Sequence, residues 1–188
     1  MSLDLFSLKG KNVLITGASR GIGRACAVAL AEAGANICLV LRPSTSSSNA
    51  TESSTEAVLQ RLGVKVSVIQ CNLDDLEAAK QVFPKALELM DGNIHILVNC
   101  AGIQRRAPAV QFNHKETHDS LLVTHGAFEA RKIINFGSLL TFQGGLTVPA
   151  YAAAKGALGS LTKALSNEWS KEGVNVNAII PGYIATDM

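Results

Sequence analysis

The chain has 188 residues, 47% of them hydrophobic and 17% charged, with a formal net charge of +2. That length suits one domain, residues 1–188, with a sizeable core. The near-neutral balance, without any basic run, argues against nucleic acid as a partner. No apolar run approaches the roughly 20 residues of a membrane span. Met1–Gly10 has no basic start leading into an apolar stretch, so the expectation is a cytoplasmic protein without a secretory signal or a membrane partner. The Asn49-Ala50-Thr51 sequon is then without consequence. Cys26, Cys38, Cys71 and Cys100 form no Cys-x-x-Cys pair and have apolar neighbours, which reads as reduced core residues. For Cys100 an oxidation-sensitive thiol is the alternative.

In chain order, Lys11–Thr16 reads as a short buried strand running into Gly17-Ala18-Ser19-Arg20-Gly21-Ile22-Gly23, and an Ala-rich helix follows from about Ile22 to Ala33. Strand, glycine turn and helix form a phosphate site, because the turn admits a ligand to the backbone and the helix N-terminus offers free N–H groups. Asn36–Leu41 is the second strand. It ends in Arg42, where a site selective for NAD carries a carboxylate. Arg42 and Arg20 can face a 2′-phosphate instead, which favours NADP over NAD; two solvated arginines are the alternative. Pro43–Ser54 is a Ser-rich loop, followed by a helix over Glu52–Leu62 and a strand over Val64–Gln70. Asn72 then either meets an adenine edge or simply turns the chain. Asp74 is placed to cap a helix whose residues Ala78, Val82, Ala86 and Leu89 recur at helical spacing to about Met90. Ile94–Asn99 is another apolar strand, ending in Asn99-Cys100-Ala101-Gly102, where small residues let a flat ring lie close. Lys132–Phe136 is the fifth strand. Ala150 to about Lys171 is a long helix with a Leu158, Leu161, Leu165 stripe and Trp169 one turn on. Val174–Ile180 is the sixth strand, ending in Pro181-Gly182-Tyr183-Ile184-Ala185-Thr186. Alternating strands and helices imply an α/β protein with a parallel, doubly wound sheet of the Rossmann type.

Between the fifth strand and the long helix, Ser138 and Tyr151 have twelve residues between them, and Tyr151 and Lys155 have three. A Tyr and a Lys four apart on a helix share a face, so the ammonium can sit beside the phenol. A free phenol titrates near ~10, and a fixed positive charge favours its ionised form. A serine hydroxyl from the preceding loop can hydrogen-bond the oxygen that gains or loses the proton.

With these motifs the chain resembles the short-chain dehydrogenase/reductases: TGASRGIG at Thr16–Gly23, NCAG at Asn99–Gly102, S-x12-Y-x3-K at Ser138–Lys155 and PGYIAT at Pro181–Thr186. Within that family GIQRRAP, KIINFGSLLTFQGGLTVPAY and NEWSKEGVNVNAIIPGYIATDM are most similar to the 2-deoxy-D-gluconate 3-dehydrogenases. The 3-oxoacyl carrier-protein reductases share the core motifs and are the alternative substrate class. The resemblance implies that Tyr151 is the acid/base, that Lys155 lowers its pKa and binds the nicotinamide ribose, and that Ser138 holds the substrate oxygen. It further implies a nicotinamide cofactor on Gly17, Ser19, Arg20, Gly21, Ile22, Gly23, Arg42, Asn72, Asn99, Ala101, Gly102, Tyr151, Lys155, Pro181, Gly182, Ile184 and Thr186. The expected partner is a small-molecule substrate, a deoxy sugar acid, with Arg105, Arg106 and Gln143 as candidate contacts; two exposed loop arginines are the alternative for the first pair.

Two departures set further expectations. The family's helical Asn before the catalytic serine has Thr124 in its place here, and only 35 residues separate Gly102 from Ser138, fewer than the family pattern has. That shortened crossover before the fifth strand, which in the family packs on a partner subunit, predicts exposed apolar surface or a lost homo-oligomer. The sequence also stops after the sixth strand, which predicts an uncovered edge. Both departures leave a non-catalytic nucleotide-binding chain open beside the enzyme. His114, His118 and His125 lack the H-E-x-x-H spacing, so no metal site is expected.

Overall fold

A computed structural model describes residues 3–43, 53–102 and 130–186. One six-stranded sheet carries β1 (Asn12–Thr16), β2 (Asn36–Leu41), β3 (Val66–Gln70), β4 (Ile96–Asn99), β5 (Lys132–Phe136) and β6 (Asn175–Ile179). The order is β3-β2-β1-β4-β5-β6 and every neighbouring pair is parallel. The chain winds outward one way from β1 and the other way from β4, so the switch point lies between those two strands. In an open parallel sheet that crevice, at the strands' C-terminal ends, is where ligands collect. Among the described residues β6 is an edge strand, as its position in the order requires.

Alternate side chains of the central strands serve two layers. Val13, Ile15, Ile37, Leu39 and Val98 pack with Ala27 and Ala31 of α1 (Gly21–Glu32) and Leu59 of α2 (Thr55–Arg61). Leu14, Cys38, Val40, Leu97, Ile133 and Val176 pack with Val82, Phe83, Ala86 and Met90 in and after α4 (Val82–Leu89), which follows the short α3 (Leu76–Lys80). Leu165 and Trp169 of the long α5 (Pro149–Trp169) join this second layer. Each fully buried large apolar side chain contributes about 1.5–3 kcal/mol. The ion pairs Lys65–Asp91, Lys80–Glu77 and Arg42–Asp74 are all exposed, and such pairs contribute about 0–1 kcal/mol each. The two apolar layers therefore hold the fold.

Local chemistry explains where elements differ from the sequence expectation. α1, expected to run to about Ala33, closes at Gly34, whose N–H donates to Ala31 O while Ala35 N–H donates to Leu30 O at 3.1 Å, a Schellman closure. α2 starts at Thr55 rather than Glu52, because the Ser54 hydroxyl caps it by accepting from Ala57 N–H at 3.1 Å. Asp75, and not Asp74, caps α3, accepting from Glu77 and Ala78 N–H. The single helix expected to Met90 is two, broken at Gln81. Pro84, with no N–H and a ring that would clash with the Lys80 carbonyl, forces the break. The expected stripe shifts accordingly: Leu89 is exposed, and Ala79, Val82, Phe83, Ala86 and Met90 are buried. In α5 the leucines Leu158, Leu161 and Leu165 are only half-buried; the fully buried positions are Ala150, Ala154, Lys155 and Thr162. Cys38 and Cys71 are buried free thiols as expected, but Cys26 and Cys100 are half-buried. No described helix is long and apolar enough to cross a membrane.

At the opposite end of the sheet from the switch-point crevice, Asn12 ties three segments together. Its Nδ2 donates to the carbonyls of Met90 and Asn93, its Oδ1 accepts from Asn36, and its backbone N–H donates to His95 Nδ1 at 3.0 Å. Burial and then the nearby Lys11 charge hold the His95 imidazole below its usual value. The folded state thus binds that proton less readily than the unfolded chain, and stability is lost as pH falls below the unfolded value near ~6.5. Urea unfolding should show a lower midpoint at pH 5.5 than at pH 7.5, and His95→Asn, which keeps an acceptor that does not titrate, should flatten that difference. Equal pH dependence in both chains would contradict the assignment.

Candidate active site

The site is built from backbone that comes too close for side chains. Gly17 follows β1 with φ +70°, and a Cβ there would lie 2.6 Å from Ala101 Cα and 2.7 Å from Ala101 N. Only glycine permits that conformation and that approach together. The Ala101 N–H in turn donates to the Thr16 hydroxyl at 3.0 Å. The glycine turn after β1 and the NCAG segment after β4 are thereby locked across the switch point. Gly21 opens α1 with φ +56°, and its missing Cβ would lie 3.5 Å from the Thr186 side chain. The segment after β6 therefore reaches the N-terminus of α1.

A polar ladder runs behind this edge. Asn99 and Asn135 are register partners on β4 and β5. Asn99 Nδ2 donates to Asn135 Oδ1 at 2.9 Å, Asn135 Nδ2 donates to Thr162 Oγ1 at 3.0 Å, and the Thr162 hydroxyl donates to Leu158 O. The ladder fixes α5 against the sheet through its buried Thr162. Asn99 Oδ1 is buried without a partner among the described residues.

Lys155 lies on the same face of α5 as Tyr151. Its Nζ donates to Phe136 O at 2.5 Å, sits 5.6 Å from the centroid of the Tyr151 ring, and lies 3.9 Å from where a Cβ on Gly102 would be. Burial pushes the Lys155 ammonium down from its usual range, opposed by the neighbouring Cys100. Cys100 itself is pushed up to about 11, by burial first and by Cys26 second, against the pull of Lys155. It is a protonated thiol at neutral pH, which favours packing over redox sensing. Ser138 caps the short 3-10 turn Leu139–Thr141: its Oγ accepts from Leu140 N–H at 3.3 Å and its N–H donates to Thr141 Oγ1. Acting as acceptor there, the Ser138 hydroxyl keeps its own proton to donate. Thr141 packs where a Cβ on Gly159 of α5 would be, so the serine turn is seated on the helix that carries Tyr151.

The other predicted residues fall into place unevenly. Ser19 and Arg20 lie in the turn and Gly23 lies against it; Ile22 is half-buried against the α1 layer. Arg20 caps α1 without a side-chain bond, leaving the helix N–H groups for a ligand. Arg42 is exposed and pairs with Asp74 at 3.4 Å. Asn72 is exposed and its Oδ1 accepts from Asp74 N–H at 3.4 Å, the turn alternative in part. Pro181 and Gly182 lead to Ile184, which is 56% exposed, and to Thr186 at the α1 terminus. Gln143 is exposed in the loop after the 3-10 turn. Arg105, Arg106, His114, His118, Thr124 and His125 lie outside the described residues. Sequence reasoning missed Thr16, Thr55, Asn135 and Thr162. Thr16 and Asn135, both polar at the ends of apolar strands, could have been noticed; nothing marked the other two.

This edge fits a dinucleotide. The glycine turn brings its backbone to the switch-point crevice, and the N-terminus of α1, with no side-chain cap, offers N–H donors to a diphosphate. A profile of the short chain dehydrogenases matches residues 11–188, and the chain belongs to that family. It is 44% identical over 200 residues to the 2-dehydro-3-deoxy-D-gluconate 5-dehydrogenase of Pseudoalteromonas atlantica, covering 98% of this chain and 76% of that protein. It is 38% identical to the gluconate 5-dehydrogenase of Gluconobacter oxydans, covering 98% and 75%. Among solved structures it is similar to a protein from Agrobacterium tumefaciens assigned as a 2-deoxy-D-gluconate 3-dehydrogenase with bound NADP, at TM-score 0.81 and 38% identity over 97% of this chain and 75% of that one.

Gly17→Ala should cost on the order of 1–3 kcal/mol from backbone strain alone, with the Ala101 clash adding to it. A urea melt of the variant measures this. A loss under about 0.5 kcal/mol, the usual scatter of neutral substitutions, would show that the contact is not as tight as described.

Proposed function

We propose that the chain is an NADP-dependent dehydrogenase/reductase interconverting a secondary hydroxyl and a ketone on a deoxy sugar acid such as 2-deoxy-D-gluconate. One observation carries the reading. Close approaches run unbroken along a single edge, from Thr186 to Gly21, through the turn to Gly17, from Gly17 to Ala101, and from Gly102 to Lys155 and Tyr151. All the sequence motifs thus converge on one crevice. The names of the similar proteins support the substrate class, and the bound NADP of the Agrobacterium protein supports the cofactor.

In this reading Gly17, Ser19, Arg20, Gly21, Ile22 and Gly23 hold the diphosphate, and Arg42 holds the 2′-phosphate. The Arg42–Asp74 pair is exposed and long, so exchanging Asp74 for a phosphate costs little. The exposed Asn72 faces the adenine. Asn99, Ala101 and Gly102 line the nicotinamide side, with Pro181, Gly182, Ile184 and Thr186 closing over it. When bound, the nicotinamide supplies or accepts the hydride. The Tyr151 hydroxyl gives or takes the proton of the substrate oxygen, Ser138 holds that oxygen with its free hydroxyl proton, and the buried Lys155 charge stabilises the deprotonated phenol.

Positioned acid–base catalysis contributes about 10²–10⁴-fold. Tyr151→Phe should therefore lose roughly that much turnover while keeping its NADPH affinity, read by NADPH consumption with a keto-deoxy sugar acid. Full turnover in the variant would overturn the mechanism. Faster turnover of a 3-oxoacyl thioester than of the sugar acid by the unaltered chain would overturn the substrate class.

A further inference from the structure

We propose that Thr55 is a positioning residue that sets the direction of the glycine turn's amides toward the nucleotide diphosphate. The proposal rests on the nucleotide-binding reading above and adds a residue that no motif contains. Thr55 is the first residue of α2 and is 3% exposed. Its hydroxyl donates to Ala18 O at 2.8 Å and to Ser19 O at 3.2 Å, 37 and 36 residues away in sequence. One proton is shared between two successive carbonyls of the turn.

Those carbonyls govern the donors that matter. In a planar trans peptide the C=O and the following N–H point to opposite sides. Holding the Ala18 carbonyl toward α2 turns the Ser19 N–H away from α2, and holding the Ser19 carbonyl does the same for the Arg20 N–H. A single hydroxyl thereby orients two consecutive amides of the phosphate turn before any ligand arrives. Such preorganisation raises affinity by lowering the cost of ordering the site.

Thr55 is itself held firmly. Ser54 caps its helix, and Leu59, one turn on, is fully buried in the layer that also contains Ala27 and Ala31 of α1. The β-branched side chain has few χ1 choices, and the bonds to Ala18 O and Ser19 O select one of them. The same contact ties the glycine turn to the N-terminus of α2.

The test compares NADPH dissociation constants, by quenching or enhancement of nucleotide fluorescence, for the unaltered chain, Thr55→Val and Thr55→Ser, well below the melting midpoint of each. Thr55→Val keeps the shape and removes the donor, and an unpaired carbonyl pair should weaken NADPH binding about tenfold. Thr55→Ser, which restores the hydroxyl, should return the affinity to within about threefold. In turnover the Val variant's loss should fall on KM for NADPH rather than on kcat. Unchanged affinity in Thr55→Val, or equal losses in the Val and Ser variants, would overturn the role. So would loss of a cooperative melt in Thr55→Val, which would make the hydroxyl a support of the fold. If the unaltered chain binds no nucleotide, the functional reading falls and this proposal with it, a result distinct from binding that ignores Thr55.

Discussion

Backbone meets backbone where Gly17 passes Ala101, with no room between them for a methyl group. Everything at the site depends on that approach. It fixes the separation between the phosphate turn after β1 and the small-residue segment after β4, the two sides of the crevice at the switch point. Thr16 seals it by accepting the Ala101 N–H. Gly102 follows Ala101, and a Cβ added there would lie 3.9 Å from the Lys155 ammonium. A side chain at Gly17 would force the two segments apart.

The second constraint is electrostatic. Lys155 is buried against the Phe136 carbonyl, and burial disfavours its charge. A buried ammonium is costly unless it is hydrogen-bonded, and here the strand-end carbonyl of β5 supplies the bond. The Asn99–Asn135–Thr162 ladder keeps α5 seated on the sheet, so that this lysine reaches the Phe136 carbonyl. Polar residues at the ends of apolar strands thus connect the packing of the sheet to the placement of Lys155.

Much of this was legible in the sequence, for physical reasons. Apolar runs such as Asn36–Leu41 and Lys132–Phe136 are bounded by turn residues, and the strands match the expected limits there. The parallel order follows from alternation of strand and helix, and the glycine turn and the Ser-Tyr-Lys spacing carry their chemistry in residue type and interval. What was not legible depends on contacts distant in sequence. Thr55 and Thr162 look like any helical threonines until the fold brings them to Ala18 and Asn135. The Leu158–Leu161–Leu165 periodicity overstated burial, and the helix instead buries Ala150, Ala154, Lys155 and Thr162. Pro84 was a local signal that a long helical pattern outweighed.

The most direct test of a single nucleotide-binding edge is a thermal melt of the unaltered chain, alone and with saturating NADPH or NADH. Ligand that binds only the folded state stabilises it by about 2.7 kcal/mol at a hundredfold excess over Kd. The account predicts one cooperative transition, raised more by NADPH than by NADH, as the proposed pairing of Arg20 and Arg42 with a 2′-phosphate requires. A transition that neither nucleotide moves, or no cooperative transition at all, would contradict it.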